Sequence, residues 1–466
     1  MSGALLSRWK SATLLMSVAA ALLIMLQPWF RPAALQAFDF QRWVEVICLI
    51  ALCVLSSPYA LVRSRQTPLI FLLLLISMTL AILSAWIAYG ASFLSISVFR
   101  AFLYAIAMVG LIGAWSQSPV LVRRVFSGSI LISIALYLTY TMLGAAALVM
   151  SGVFDRTFLV SGFSNVNHAA GFLLVTLLIL PGLAASFDRT RVVQLLIYVL
   201  SPITAFFLLV IGSRGAMLAG LFVAGVLCLF RHQREVGLYL RWLLFTIATG
   251  IILYIFFRII LVLTGVDVFR SSKALVSDSG RLELYLRAWE GALASPWLGH
   301  GPLSYAAIPG VVLGHAHNVL LTALYEDGFP CVLLLSGLVG YVVWVLWKGR
   351  LRIINSPAAI SGVSVLMAFT VHSQFSGLPM IPTTMLIVTV ALAFVASAWP
   401  SRTPSLSRTG TLAGGLVGLM LGGCYLLMAI SYWQAIDGTV HQKPRFWLQG
   451  GTETWVESSG IQFKTR

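Results

Sequence analysis

Residues 169–187 read AAGFLLVTLLILPGLAASF and contain no charged side chain. As an α-helix, a stretch of this length crosses the roughly 30 Å hydrocarbon core of a bilayer. Similar apolar stretches recur along the whole chain of 466 residues, of which 59% are hydrophobic and 9% are charged. This composition is far more apolar than that of a soluble domain. The sequence therefore predicts an all-α polytopic integral membrane protein.

The apolar stretches predict about thirteen transmembrane helices. They lie near residues 12–30, 43–62, 68–90, 99–117, 126–150, 169–187, 192–211, 215–231, 239–264, 329–347, 357–373, 379–399 and 411–432. A count of twelve is the alternative, because one stretch starts beside Arg100 and the stretch at 215–231 is short. We expect one transmembrane domain over residues 1–432, with a large outer loop near 265–328, and an aromatic-rich tail over 433–466.

The basic residues predict the orientation of the chain. Arginine and lysine gather at every second connection between the predicted spans. Because basic connections resist translocation, this face and the N-terminus are expected in the cytoplasm. The connections near 31–42, 150–168, 211–215 and 265–328 are then expected on the outer face. The net charge of +16 follows from this topology and from contact with anionic lipid, so we expect no nucleic-acid partner.

The stretch IGSRGAMLAG (211–220) places Arg214 in a turn between two apolar helices. Gly212 and Gly215 flank the Ser-Arg pair. Glycine allows a tight turn and a close approach of a ligand to the backbone, and the following helix presents free N–H groups. The turn therefore suits an anion. The alternative is that Arg214 reaches the phosphate of a membrane lipid.

The outer loop contains the stretch SDSGRLELYLRAWEGALASPWLGHGPLSY (277–305). Its first part has the spacing of an amphipathic helix, with Ser279 as the cap and Arg281 in the first turn. A cation there opposes the helix dipole, which makes sense if a doubly charged anion binds at this end. A solvated arginine is the alternative. Arg287 is a further candidate, or it pairs with a glutamate on the same helix.

The last part of this stretch, SPWLGHGPLSY (295–305), is rich in proline and glycine. This composition predicts a turn. We expect the turn to place Trp297, His300 and Tyr305 near the membrane interface as aromatic anchors.

Two histidines and an asparagine crowd the stretch HAHNVLLTALYEDGF (315–329). His315 and His317 lie two residues apart, whereas metal ligands on a helix lie three or four apart, so we expect no metal site. One interpretation is a structural histidine satisfied by a carbonyl. The other interpretation is a functional histidine, because polar groups are costly to bury in a membrane. A neutral imidazole can take a proton from a hydroxyl.

Together these elements resemble the O-antigen ligase and polymerase superfamily over about residues 150–345. The matching residues are Arg214 in GSRG, Arg281 in SGRLELYLRAWE, His317 with Asn318 in HAHN, and Asn165, Asn167 and His168 in the Asn-rich stretch SGFSNVNHAAG. One departure is Cys331, which stands three positions after Gly328 where the superfamily often has a second glycine.

The resemblance implies a GT-C-like glycosyltransferase in the bacterial inner membrane. Such enzymes take a glycan from undecaprenyl diphosphate and join it to an acceptor hydroxyl at the periplasmic face, with inversion and without a metal or other cofactor. For this chain the resemblance implies an O-antigen ligase whose acceptor is the lipid A core oligosaccharide. The alternatives are an O-antigen polymerase, a protein O-oligosaccharyltransferase and a transporter of lipid-linked sugars.

The resemblance also implies roles for single residues. Arg214 and Arg281 would stabilise the leaving diphosphate, and His317 would act as the base. Asn318 would help to hold the acceptor. The further candidates for substrate binding are Arg156, Asn167, His168, His315 and Arg287, and His315 is also the rival of His317 as base. Because a polyprenyl chain must stay in hydrocarbon, we expect an apolar groove near the GSRG turn.

Overall fold

The computed structural model describes residues 37–66, 68–89, 96–117, 119–159, 163, 166–187, 190–268, 281–308, 315–399 and 408–435. In these ranges the chain forms fourteen α-helices and one pair of two-residue strands. Of the predicted span near 12–30, only residues 12 and 15 are described. Ser279, Asn165 and the predicted tail beyond Ala435 lie outside the described residues.

The helices are α1 (Ala37–Gln66), α2 (Pro68–Tyr89), α3 (Ile96–Gln117), α4 (Val120–Met150), α5 (Val166–Ala185), α6 (Arg191–Ile211), α7 (Arg214–Cys228), α8 (Arg234–Leu263), α9 (Arg281–Ala294), α10 (Val319–Lys348), α11 (Arg350–Ile353), α12 (Pro357–His372), α13 (Pro382–Ser397) and α14 (Arg408–Ala435). Strands β1 (Val153–Phe154) and β2 (Asp267–Val268) pair in parallel. Short 3₁₀ turns occur at Arg156–Leu159, Ser304–Ala307 and Leu378–Met380.

The predicted all-α polytopic architecture is confirmed, because each predicted span from 43–62 onwards coincides with one helix. Within the described ranges, seven helices are long and apolar enough to cross a membrane, and five shorter apolar helices accompany them. The largest difference concerns α10, which begins at Val319 and not near residue 329. The helix starts early because the side-chain oxygen of Asn318 accepts a hydrogen bond from Leu321 N at 3.0 Å.

Helix α5, which contains most of the uncharged stretch 169–187, lies at the centre of the molecule. In its apolar window 83% of the residues are buried, against 17% in α8, which faces outward. Helices α4, α6, α7, α12 and α13 pack around it. Gly182 permits this crowding, because a Cβ atom there would lie 2.8 Å from the ring of Phe394. The other helices of the larger hydrophobic core therefore assemble on α5.

Helix α14 packs along α1 through three glycines that are spaced four residues apart, Gly414, Gly418 and Gly422. A Cβ atom at Gly414 would lie 2.5 Å from Pro58 Cα, and one at Gly418 would lie 2.6 Å from Val54 Cα. Small residues at this spacing let two membrane helices approach until their backbones touch. The stripe of glycines therefore sets the distance between α1 and α14.

The connections between helices fall into two groups. Arg124 donates to the carbonyl of Ser186 at 3.4 Å, which joins two of the predicted cytoplasmic connections. Arg156 donates to the carbonyl of Ile211 at 2.8 Å, which joins two of the predicted outer connections. This grouping agrees with alternating crossings. Which group faces the cytoplasm stays a prediction.

We predict that Gly418→Ala destabilises the protein, whereas Gly423→Ala on the same helix does not. The new methyl group at 418 meets the backbone of α1, which has no rotamer with which to yield. Overpacking of this kind costs about 1–3 kcal/mol. At Gly423 no atom lies within 4 Å of the new Cβ, and alanine is the better helix former by up to about 1 kcal/mol. Thermal unfolding of both variants in one detergent measures the difference, and equal midpoints would contradict it.

Candidate active site

The HAHN stretch that precedes α10 is fixed by its own hydrogen bonds. Thr322 Oγ1 donates to the carbonyl of Asn318 at 2.8 Å and accepts from Ala316 N at 3.2 Å. The backbone N–H of His317 donates to His315 Nδ1 at 2.9 Å. These bonds hold His317 at a φ of 56°, in the left-handed region that non-glycine residues rarely adopt. Strained backbone of this kind concentrates at functional sites.

The two histidines of this stretch differ in what their ring nitrogens do. Nδ1 of His315 is occupied as an acceptor, and its Nε2 edge packs against Gly377, where a Cβ atom would lie only 2.5 Å away. His317 is 8% exposed, and no described residue hydrogen bonds to its Nδ1. Of the two, His317 is therefore the one whose Nδ1 has no hydrogen-bond partner among the described residues.

Arg281 acts on His317 although the two residues are far apart in the sequence. Burial lowers the pKa of His317 to about 4, and the positive charge of Arg281 adds to this shift. Arg281 is the first residue of α9, where the helical spacing predicts it. At neutral pH the buried imidazole is therefore uncharged.

Arg287 lies on the exposed side of the same helix. Its guanidinium pairs with Glu283 at 2.6 Å, one helical turn away, and the two side chains are 43% and 67% exposed. The sequence analysis gave such an ion pair on the same helix as the alternative to substrate binding by Arg287. Such exposed pairs contribute about 0.3–0.5 kcal/mol.

The GSRG turn has the conformation that its glycines suggest. Gly212 ends α6 at a φ of 67°, and Ser213 caps α7 by accepting from Ala216 N at 3.5 Å. Ser213 Oγ also donates to Asn167 Oδ1 at 2.8 Å, which ties the turn to the start of α5. Arg214 follows as the first residue of α7, with its side chain exposed.

Arg156 stands beside this turn and supports it. Its Nη1 donates to the carbonyl of Ile211 at 2.8 Å and lies 3.1 Å from where a Cβ of Gly212 would be. A cation at the carboxyl end of α6 is favoured by the helix dipole. The contact made here is with the protein, and binding of substrate by Arg156 stays a prediction.

One segment that the sequence analysis did not single out joins these elements: the connector 372–380 between α12 and α13. The carbonyl of Ser373 accepts from Val319 N at 3.1 Å, at the start of α10. The carbonyl of Gln374 accepts from the hydroxyl of Tyr285 in α9 at 3.3 Å. The connector thus holds the start of α10 and helix α9 side by side.

His372, at the start of the connector, is a candidate site residue that the sequence analysis missed. It is 1% exposed, and within the described ranges neither ring nitrogen has a hydrogen-bond partner. Cβ atoms built on Gly171 and Gly215 would lie 3.0 Å from its ring, so it sits between α5 and the first turn of α7. His168 in α5 completes the group, with its ring 6.1 Å from that of His315. The sequence feature that could have indicated His372 is a histidine at the end of an apolar helix.

A buried ion-pair network supports the connector from the other side. Glu45 of α1 accepts from Arg42 at 2.7 Å and from Arg100 at 2.6 Å, and the hydroxyl of Tyr104 donates to the same carboxylate. Arg100 Nη1 also donates to the carbonyl of Pro379 at 2.9 Å. The resemblance covers none of the helices that carry this network, yet they anchor the segment that carries Gly377.

The turn at 295–305 docks into a break in α10. Gly328 has a φ of 76°, and Pro330 has no N–H to give to the carbonyl of Glu326. Gly301 N donates to that carbonyl instead, at 2.9 Å. Tyr305 is fully buried here, which corrects its assignment as an interface anchor, whereas Trp297 is 76% exposed as expected. Gly328 therefore serves as a docking point for the outer loop.

The structure also places an apolar cavity of about 280 Å³ beside the site. Helices α2, α3 and α10 line it, and its polar lining residues include His315, Asn318 and Glu326. No residue of the GSRG turn is among the described residues that line this cavity, and the groove expected near that turn stays a prediction. Glu326 and its neighbour Asp327 both line the cavity, and their carboxyl groups suit a diphosphate less well than arginines do.

Residues 199–336 match the family model described as O-antigen ligase. The match identifies an O-antigen ligase domain. The resemblance is thereby confirmed at the level of the superfamily, whose members are glycosyltransferase-like ligases and polymerases that act with lipid-linked glycans. The O-antigen ligase domain includes Arg214, Arg281 and His317, and it ends before His372. No curated protein matches the chain.

We predict that His317 in the O-antigen ligase domain titrates near pH 4, well below the ordinary value of about 6.5. Since the folded-state pKa is depressed, the stability contributed by the neutral ring is lost as the pH falls from about 6.5 towards 4. Arg281→Gln removes a positive charge and should raise the pKa, whereas Arg287→Gln should not. NMR of the histidine ring signals as a function of pH measures the pKa of His317 in the parent and in both variants. The variant His317→Gln assigns the signal. A titration near 6.5 in both variants and in the parent would contradict it.

Proposed function

We propose that the protein transfers a glycan from undecaprenyl diphosphate to a hydroxyl of the lipid A core oligosaccharide, at the periplasmic face of the bacterial inner membrane. What supports the proposal is one arrangement. Arg281 acts on the buried His317, and the connector 372–380 joins both to the GSRG turn that carries Arg214. Positive charge and a neutral base therefore meet at one end of the molecule.

The proposed role of the two arginines follows from the leaving group. When the bond between the sugar and the phosphate breaks, the diphosphate takes the electron pair and gains negative charge. Guanidinium groups stabilise such charge through paired hydrogen bonds to phosphate oxygens. Arg281 at the first turn of α9 and Arg214 at the first turn of α7 are each placed where a helix N-terminus adds to the attraction. The reaction proposed here uses no cofactor or metal.

The proposed role of His317 follows from its free nitrogen. Nδ1 takes the proton of the acceptor hydroxyl while that oxygen forms the new bond to the sugar carbon and the diphosphate departs from the opposite face. Attack from the opposite face inverts the configuration. A positioned base contributes about 10²- to 10⁴-fold in rate. Asn318 uses its Oδ1 to cap α10, so its NH₂ group is the part that remains for the acceptor.

Within the superfamily, ligase is favoured over polymerase because the chain has one dominant outer loop with the histidine at its end. The proposal places the candidate groups at one end of the bundle, whereas a transporter needs sites that open to both faces in turn. Transfer in detergent distinguishes the two classes. An enzyme glycosylates the acceptor without a sealed membrane, and a transporter does not.

We predict that Arg214→Ala and Arg281→Ala each abolish transfer while the protein still folds. Lysine at either position should restore little activity, because an ammonium group does not form the paired contact. The assay joins purified protein, lipid-linked donor and core oligosaccharide in detergent with EDTA present. Gly423→Ala serves as the active control. Wild-type rates in either alanine variant would remove that arginine from the mechanism, and loss of wild-type transfer with EDTA would overturn the metal-free reaction.

We predict that His317→Ala lowers the rate of transfer by about 10²- to 10⁴-fold, as expected for loss of a general base. His315→Ala should retain more activity, because the Nδ1 of that ring accepts from the backbone of His317. The same donor and acceptor assay compares the two variants at saturating substrate. If His315→Ala is the more damaging change, the base is His315.

A further inference from the structure

Helix α9 has three faces, and one of them is not part of the candidate active site. Leu282, Leu286, Trp289 and Leu293 follow one another at helical spacing and are each between 43% and 58% exposed. They form a single stripe along the helix, which we call the apolar stripe of α9. Four large apolar side chains in one exposed row mark an interaction surface more often than a solvated one.

The two other faces of α9 are already accounted for. Ala288 and Ala292 are fully buried where the helix packs against α10. Glu283 and Arg287 form their exposed ion pair on the remaining side. A helix with one face on protein, one apolar face and one charged face is typical of a position at the boundary between hydrocarbon and water.

The apolar stripe is continuous with the surface of the transmembrane helices. The ring of Trp289 contacts the ring of Phe329 in α10, with centroids 6.0 Å apart. One turn further along α10, Leu333 is 69% exposed, as a side chain that faces acyl chains would be. After α9 the chain runs through the exposed Trp297 to Leu298, whose carbonyl accepts from Ser84 of α2 at 2.5 Å. The stripe therefore lies near the break in α10 and the last turns of α2.

We propose that α9 lies at the membrane–water interface, in the leaflet on the same side as the candidate active site. Its apolar stripe contacts lipid acyl chains. The occupant of the stripe is thus the bilayer, and not a second copy of the chain or another protein. Tryptophan at the end of such a helix is placed at the level of the lipid headgroups. Arg281 stands on the protein side of α9, so the lipid contact sets the depth of Arg281 relative to His317. The proposal does not depend on which reaction the site catalyses.

The depth of the stripe is directly measurable. Cys228→Ala and Cys424→Ala remove the two exposed native thiols. In that background, Leu293→Cys and, as the matched control on the charged face, Glu290→Cys are labelled with an environment-sensitive fluorophore in lipid nanodiscs. We expect nitroxide on the acyl chains to quench the label at position 293 several-fold more than aqueous iodide does. The label at position 290 should show the reverse.

Two results would overturn the proposal. Equal iodide quenching at both positions would place the stripe in water. Protection of the label at position 293 from both quenchers would place it under protein. Leu286→Cys repeats the test at a second stripe position if the first variant folds poorly, and it is expected to give the same pattern.

Discussion

The connector 372–380 is the constraint on which the arrangement of the site depends. It offers backbone carbonyls to Val319 at the start of α10 and to Tyr285 in α9, and it places His372 against Gly215 in the GSRG turn. Each contact uses backbone or a glycine and so tolerates little displacement. Three pieces of chain that are distant in sequence are thereby fixed against one another.

The break in α10 also helps to fix distant pieces of the chain against one another. Pro330 and Gly328 remove helical hydrogen bonds at one level, and the outer loop supplies the missing partners through His300 N and Gly301 N. A loop that docks by backbone bonds is held more rigidly than one that rests on side chains alone. The loop that carries Arg281 is therefore anchored at its far end to a membrane helix, which holds that arginine in place.

Much of the fold was predictable, because uninterrupted apolar stretches leave little choice in a membrane. The position of Arg281 at the start of a helix followed from the helical spacing of the residues after it. The role of Gly414, Gly418 and Gly422 was visible in the sequence but was not used. The connector, His372 and the Arg42–Glu45–Arg100 network could not be predicted, since they depend on contacts between helices that a single sequence does not encode locally. Tyr305 was assigned wrongly, because an aromatic residue in a turn suits the interface and the interior equally.

We propose that the two arginines and His317 serve one lipid-diphosphate substrate. The most direct measurement is a cryo-electron microscopy structure of the protein in a nanodisc with a non-reactive lipid-diphosphate sugar. We expect the diphosphate within hydrogen-bond distance of Arg214 and Arg281, with the sugar facing His317. A diphosphate bound in the cavity between α2, α3 and α10, away from both arginines, would contradict this account.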